Sequence, residues 1–358
     1  MPGDDVEHTP PLASGPRPGR ATATDVAALA GTSVSTVSLV ASGKTKGRVS
    51  SSTIARVASA IETLGYVVDH TASALARGSA DVVILVAPDL SNPYYGDVVR
   101  GIMSVLGDRY QLLLSVASPG VQPDASVVGR LTALRPAGLL IDAPSAEFLA
   151  ALPAGPATVL LDAPGSARGD AIVNYDLVRG TDDLVDHLAD QGHRVLAYLD
   201  SSTGTETFAL RRSLIEAAAA RRGLTLLGGV ASVVDVSAAA AAVTAAWPEW
   251  RASGATAVLC ATDTQAYGAL ASARLHEIRV PEDVAVSGFD DLPSSVVTAP
   301  GLTSVALPGT SLGRTAASRM LELLGAAAPP PANAAADDDD DDLTTRLVIR
   351  DSTRHVVS

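Results

Sequence analysis

The chain has one cysteine, Cys260, in 358 residues. A lone cysteine excludes an internal disulfide framework and a cysteine-built metal site. The six histidines, at 8, 70, 187, 193, 276 and 355, show no metal-ligand grouping, so neither a metal nor any other cofactor is expected. Aromatic residues make up only 3%, which leaves alanine, valine and leucine to fill a core. No run of about 18 apolar residues occurs, so no membrane span is expected. The opening MPGDDVEHTPPLASGPRPGR has no apolar stretch of signal-peptide type, and a cytoplasmic location is expected by default. Neither a G-x-G-x-x-G after the first strand nor a P-loop is present, which weakens any nucleotide-dependent enzyme reading. Cys260 lies in an apolar strand and reads as core rather than as a nucleophile.

Net positive charge is also missing: the total is −13. Its distribution matters more than its sum. From Arg17 to Ser79 the seven cations Arg17, Arg20, Lys44, Lys46, Arg48, Arg56 and Arg77 face three anions, Asp25, Glu62 and Asp69, giving +4. Residues 80–358 carry −14. A mildly basic head on an acidic body suits a chain that meets phosphates with one end only.

Residues 1–20 are rich in proline and glycine and read as a disordered arm. Residues 21–68 read as a compact helical unit and 69–79 as a connector. Beyond that, apolar runs recur at Val82–Ala87, Leu112–Val116, Gly138–Ile141, Thr158–Asp162, Val195–Leu199, Ala257–Cys260 and Val284–Phe289. Helix-prone stretches such as Tyr95–Leu106, Asp176–Ala189, Ser237–Ala246 and Thr264–Leu275 lie between them. Buried strands alternating with helices predict doubly wound parallel sheets. The stretch AAAPPPANAAADDDDDD ending at Asp342 must be an exposed loop, because adjacent like charges repel and cannot be buried. The following TTRLVIRDS alternates and predicts a last strand.

In the helical unit Thr24 or Asp25 can cap a first helix. Val26, Ala27, Leu29 and Ala30 supply its buried face, and Gly31 permits a sharp turn. Ser33 can cap a second helix over Val34–Ala41, with Val37 and Val40 facing inward. Ser50 can cap a third, carrying Ile54, Val57, Ala58, Ile61 and Leu64 at core spacing and ending at Gly65. Two short helices joined through a glycine and braced by a third form a helix-turn-helix, whose second helix enters the DNA major groove by its first residues. Read alone, the pattern equally fits a three-helix bundle with no DNA role.

The wording of these segments resembles the LacI/GalR family of bacterial regulators. TATDVAALAGTSVSTVSLVASG matches the family's T-x-x-D-V-A-x-x-A-G-V-S-x-x-T-V-S-R-V-L-N-G, and GRVSSSTIARVASAIETLGY matches the stretch that follows. Further matches are Asp89-Leu-Ser-Asn-Pro-Tyr-Tyr95, the G-H-R turn at Gly192–Arg194, Val280–Asp291 and Pro300–Val305. The resemblance runs from residue 21 over nearly the whole chain.

It implies an N-terminal all-α helix-turn-helix domain followed by a two-lobed, periplasmic-binding-protein-like α/β domain at 80–358. The first lobe would span about 80–173 and 304–328, and the second about 174–302 and 343–358. It also implies a sequence-specific DNA-binding regulator, read as a repressor and not an enzyme. Its partners would be a double-stranded pseudo-palindromic operator, a second copy of the chain, and a small-molecule effector, a sugar or another metabolite, bound in the inter-lobe cleft. Thr24, Ser33, Val34, Ser35, Thr36 and Leu39 are the expected DNA readers, with Lys44, Lys46 and Arg48 on phosphates. Leu75 is the expected minor-groove wedge of a hinge. Asp89, Tyr94, Tyr95, Asp162, Arg211, Asp263 and Asp290 are the expected effector contacts. Two departures reshape the pocket: Asp235-Val-Ser237 lacks the family's stacking aromatic, and Leu214 replaces a glycine. Leu39 also replaces an arginine suited to guanine, leaving apolar contact, for example to a thymine methyl. The alternatives are a small-molecule binding protein of the same fold without a DNA role, and an enzyme on a doubly wound scaffold.

Overall fold

The computed structural model describes residues 21–41, 45, 47–66, 81–88, 92–116, 126–326 and 343–354. The expected arm, Lys44, Lys46, the hinge with Leu75, Asp89 and the aspartate run lie outside them. The chain divides into two units, Met1–Ala76 and Arg77–Ser358.

The first unit is three helices: α1 (Ala23–Ala30), α2 (Val34–Ala41) and α3 (Ser51–Leu64). Thr22 caps α1, not Thr24: its hydroxyl accepts from the Asp25 amide while the Asp25 carboxylate accepts from the Thr22 amide at 2.8 Å. This reciprocal pairing satisfies donors that a helix start otherwise leaves bare. Thr24 therefore sits inside the helix, exposed. Gly31 ends α1 at φ +61, a backbone conformation cheap only for glycine, and α2 leaves at 102° to α1. Ser33 and Ser50 cap α2 and α3 as expected, accepting from the Thr36 and Thr53 amides at 3.2 and 3.3 Å. The core is Val26, Ala27, Ala30, Val37, Val57 and Ala60. Leu29 and Ala58, expected inside, are exposed instead; the buried stripe of α3 runs through Ala60. Arg56 of α3 donates to the Ala30 carbonyl at 3.1 Å and so closes the C-terminal end of α1.

The second unit holds two sheets. The first contains β1 (Val82–Ala87), β2 (Gln111–Val116), β3 (Gly138–Asp142), β4 (Ala157–Leu161) and β5 (Ala171–Val173), all parallel in the order β2-β1-β3-β4-β5. Helices α4 (Tyr94–Leu106), α5 (Ser126–Ala133) and α6 (Ala146–Ala151) connect them. β1 and β3 are buried on both faces, which is why they read as unbroken apolar runs.

The second sheet contains β6 (Val195–Ser201), β7 (Thr225–Ser232), β8 (Ala257–Cys260), β9 (Ala285–Asp290), β10 (Thr303–Ala306) and β11 (Arg346–Val348), in the order β11-β10-β9-β8-β6-β7. Only β11 is antiparallel. Its helices are α7 (Val178–Asp190), α8 (Glu206–Arg221), α9 (Val236–Ala252) and α10 (Asp263–Leu275). β10 pairs with β9, so the chain returns toward the first sheet after Ala306 rather than at 304.

That return is α11 (Gly309–Leu323), which packs on α4 and on β3, β4 and β5. Two glycines allow the contact: a Cβ on Gly101 would fall on the Thr310 carbonyl, and one on Gly313 on the Val98 carbonyl. The backbones thus meet directly, which fixes where the first turn of α4 ends up. One apolar cluster runs from Val98 and Leu161 to Tyr198 and Phe289, binding both sheets into one body. Among the described residues no single helix is long and apolar enough to cross a membrane.

Candidate effector cleft and DNA-reading head

Between the two sheets lies a cavity of about 80 Å³. It is built from strand ends, as expected where parallel strands finish and helices begin. Asp142 closes β3, Asp162 follows β4, and Asp290 closes β9. Tyr94 and Tyr95 open α4, and Arg211 reaches in from the middle of α8. Three lining residues hold positive φ without being glycine: Ala143 at 40°, Asp162 at 44° and Asp290 at 109°. Such backbone costs free energy and collects where function over-determines it.

Arg211 is the hub. It is 4% exposed, and its guanidinium lies 5.2 Å from the ring centroid of Phe208 and 5.1 Å from that of Phe289. Such stacking over ring faces is favourable for a cation. Nη1 donates to the Ala261 carbonyl at 2.8 Å. The carboxylates of Asp290 and Asp162 sit at 3.5 and 3.8 Å, beyond a short hydrogen bond, and Nε has no partner. Burial pulls the guanidinium toward neutrality, but the two carboxylates outweigh it and hold the proton more firmly than usual. Burial raises Asp162 and pushes Asp290 up to about 7, against the pull of Arg211 in both cases.

On the other side, the Tyr95 hydroxyl donates to Asp142 Oδ2 at 2.7 Å, and the hydroxyls of Tyr94 and Tyr175 pair at 2.8 Å. The Tyr94 and Tyr95 rings meet edge to face, 5.1 Å between centroids at 76°. Burial, then the charge of Asp162, pushes Asp142 up to about 8. Thr207 holds the Asp162 backbone by donating to its carbonyl at 2.6 Å.

The structure thus brings together Tyr94, Tyr95, Asp162, Arg211 and Asp290 of the expected contacts, and leaves out Asp263. The Asp263 carboxylate accepts from Ser295 and Ser304 hydroxyls, both at 2.6 Å, and from the Leu292 amide at 2.8 Å. It pins the loop after β9 instead of facing the cavity. Burial pushes it up to about 8, and the three donated bonds pull the other way. Its neighbour Thr262 lines the cavity in its place and caps α10. Sequence reasoning also missed Asp142, Tyr175 and Phe208. A hydrophobic strand ending in aspartate was the available signal for Asp142. Asp235, beside the missing aromatic, caps α9 by accepting from the Ala238 amide at 2.8 Å.

In the head, the first turn of α2 presents Val34 and Ser35 exposed and Thr36 half-buried, and Leu39 is half-buried in the next turn. The Ser33 hydroxyl pairs with those of Ser35 and Thr36 at 2.8 and 2.9 Å. Arg48 is exposed just before α3. The arrangement is a helix start carrying hydroxyls and one apolar side chain, with a cation close by in sequence.

Residues 22–69 match the model for bacterial regulatory proteins of the lacI family, and 185–353 that for a periplasmic binding protein-like domain. The HTH-type transcriptional regulator reg1 of Streptomyces lividans is 31% identical, covering 84% of this chain and 89% of its own. The chain belongs to the LacI family. The ribose operon repressor of Escherichia coli is 30% identical over 83% of this chain and 91% of its own length. A crystal structure of the lac repressor dimer bound to operator and the anti-inducer ONPF superposes with TM-score 0.75 at 25% identity. It covers 93% of this chain and 99% of that one. As a LacI-family member the chain is a sequence-specific DNA-binding transcription regulator with an effector-binding α/β domain.

Proposed function

We propose that this chain is a repressor. In this reading the heads of a homodimer read a pseudo-palindromic double-stranded operator on the nucleoid, in the cytoplasm. A small polar metabolite between the sheets resets operator affinity. Arg211, Asp162 and Asp290 orient the effector from one side, and Tyr94 and Tyr95 face it from the other. Val34, Ser35, Thr36 and Leu39 reach base edges, with Ser33, Thr24 and Arg48 toward the backbone. No residue is assigned a catalytic role.

The observation that carries this reading is Arg211. A guanidinium with an unsatisfied Nε, buried between two rings and two carboxylates held beyond short hydrogen-bond range, is a polar centre awaiting a partner. The cavity of about 80 Å³ is small beside the roughly 300–1,000 Å³ of typical ligand sites, so the lobes must part to admit a ligand and close on it. Closure is the differential state that couples the two sites, and the coupling is reciprocal. Relatives support a sugar as the effector class: one is a ribose operon repressor, and a solved neighbour is a regulator CelR–cellobiose complex with TM-score 0.61 at 26% identity.

The test has two steps. A thermal-shift screen of mono- and disaccharides finds ligands, because a ligand that binds only the folded state raises its melting temperature. Operators selected from randomised DNA are then titrated with and without each ligand. The reading predicts a salt-sensitive dimer–operator complex whose affinity changes on ligand addition. An operator affinity indifferent to every ligand that binds the protein would refute it.

A further inference from the structure

We infer that the effector carries an ammonium group and that Asp142 selects it, an inference that rests on the cleft reading above. The cleft holds three buried carboxylates, Asp142, Asp162 and Asp290, around the single guanidinium of Arg211. Arg211 pairs with two of them and not with Asp142. Among the described residues no lysine or arginine lies within ion-pair distance of Asp142, which is 3% exposed. Its one partner is the neutral Tyr95 hydroxyl on Oδ2, and its Oδ1 accepts nothing. Buried charges in folded proteins are paired, because an unpaired one is strongly disfavoured away from water. Asp142 therefore keeps a proton while the cleft is empty and can give it up only to a ligand that brings a positive charge.

The geometry suits an ammonium. Asp290 lines the same cavity, and its Oδ2 is also without a partner, with the Asn92 side chain acting on the same carboxyl. Asp142 ends a strand of the first sheet and Asp290 one of the second. An ammonium has three donors and no acceptor, the complement of two orphaned carboxylate oxygens in one cavity. It would thereby tie one lobe to the other and favour closure. Asp142 is aimed for this: Tyr95 fixes its second oxygen, and Tyr95 is itself held edge to face by Tyr94. A neutral polyol could satisfy the orphaned oxygens but would leave Asp142 protonated, whereas an ammonium displaces the proton.

Without ligand the cleft relieves its charge by holding protons. Tyr95 from α4, Asp162 after β4, Arg211 from α8 and Asp290 from β9 all act on Asp142, and burial pushes it up to about 8 and Asp290 up to about 7. An incoming cation displaces those protons. Asp142 binds its proton more tightly folded than unfolded, where the pKa is about 3.9. Its contribution to stability is therefore full below about pH 4 and is lost as pH rises through about 8.

Full-length wild type and Asp142→Asn are compared by calorimetry against matched pairs: D-glucosamine and D-glucose, D-galactosamine and D-galactose. The asparagine keeps the shape and an acceptor for Tyr95. Wild type should prefer an amine over its hydroxyl twin by about tenfold or more and release protons on binding it, and Asp142→Asn should bring the pair within about twofold. Proton release is read from the dependence of binding heat on buffer ionisation. Ligand-free, Asp142→Asn should melt above wild type at pH 9, with the gap narrowing as pH falls below about 8 and closing only toward about pH 4.

A wild type that prefers the hydroxyl twin, or that binds the amine without proton release, overturns the inference and leaves the cleft reading standing. So does an Asp142→Asn protein that melts lower than wild type at every pH. Silence from every sugar, neutral or amine, overturns both.

Discussion

In the head every buried side chain of the core is apolar and the capping hydroxyls are exposed; in the cleft between the sheets it is polar side chains that are buried. The head buries three valines and three alanines, and its hydroxyls stand exposed at helix starts. The cleft buries Asp142, Asp162, Arg211 and Asp290 beside Tyr94 and Tyr95. The head's arrangement follows the ordinary rule for folding, and its polar surface is free to meet DNA. The cleft breaks the rule, keeps carboxylate oxygens and the Arg211 Nε without partners, and holds positive φ at Asp162 and Asp290. Unsatisfied polar groups destabilise the empty protein, and a ligand that satisfies them gains correspondingly. The two regions therefore respond differently to substitution.

The largest effect belongs to the cleft. Arg211→Ala leaves its carboxylates without a cation and should destabilise the protein by about 3–5 kcal/mol in urea unfolding, with effector binding lost. An unchanged unfolding midpoint would show that the carboxylates do not depend on Arg211. Next comes a head substitution that alters reading and not folding. Leu39→Arg should shift base preference at one operator position by about 1–3 kcal/mol in a selection on randomised operators. Identical selected sequences would place Leu39 away from the groove. Ser50→Ala removes the cap of α3 and should lower the head's stability by about 1 kcal/mol, seen as faster amide exchange in α3 alone. Faster exchange throughout the α/β unit would contradict the independence of the two regions. Deleting Asp337–Asp342 should have the smallest effect: the melting temperature stays, and nonspecific DNA affinity rises slightly, limited by screening beyond about 8–10 Å. Loss of dimerisation would give the run a structural role.

The head was almost fully legible, because capping, helical period and the glycine turn are local signals. Even its error was correctable: in TATD only Thr22 stands three residues before Asp25, the spacing of a reciprocal cap. Among the strands, β1 and β8 were placed to the residue, since strands buried on both faces are unbroken apolar runs. β5, β7 and β10 were not read: β5 and β10 are only three and four residues long, and β7 carries two glycines and little apolar pattern. In the cleft, motif spacing pointed to Tyr94, Tyr95, Asp162, Arg211 and Asp290. It could not show which way a strand-end aspartate faces. Asp142 ends β3 and turns into the cavity, whereas Asp263 opens α10 three residues after β8 and turns onto Ser295 and Ser304.

The central claim is that occupancy of the cleft sets operator affinity through Arg211. The most direct measurement is fluorescence anisotropy of labelled operator against wild type and Arg211→Lys, each with and without a saturating ligand found by thermal shift. Lysine keeps the buried positive charge and loses the planar fork and its stacking on Phe208 and Phe289. The account predicts that ligand changes the wild-type operator Kd by about 5–150-fold, the usual range of coupling between sites. Arg211→Lys should bind operator like wild type without ligand and lose most of that change. A variant that responds to the same ligand concentrations as fully as wild type would contradict the account.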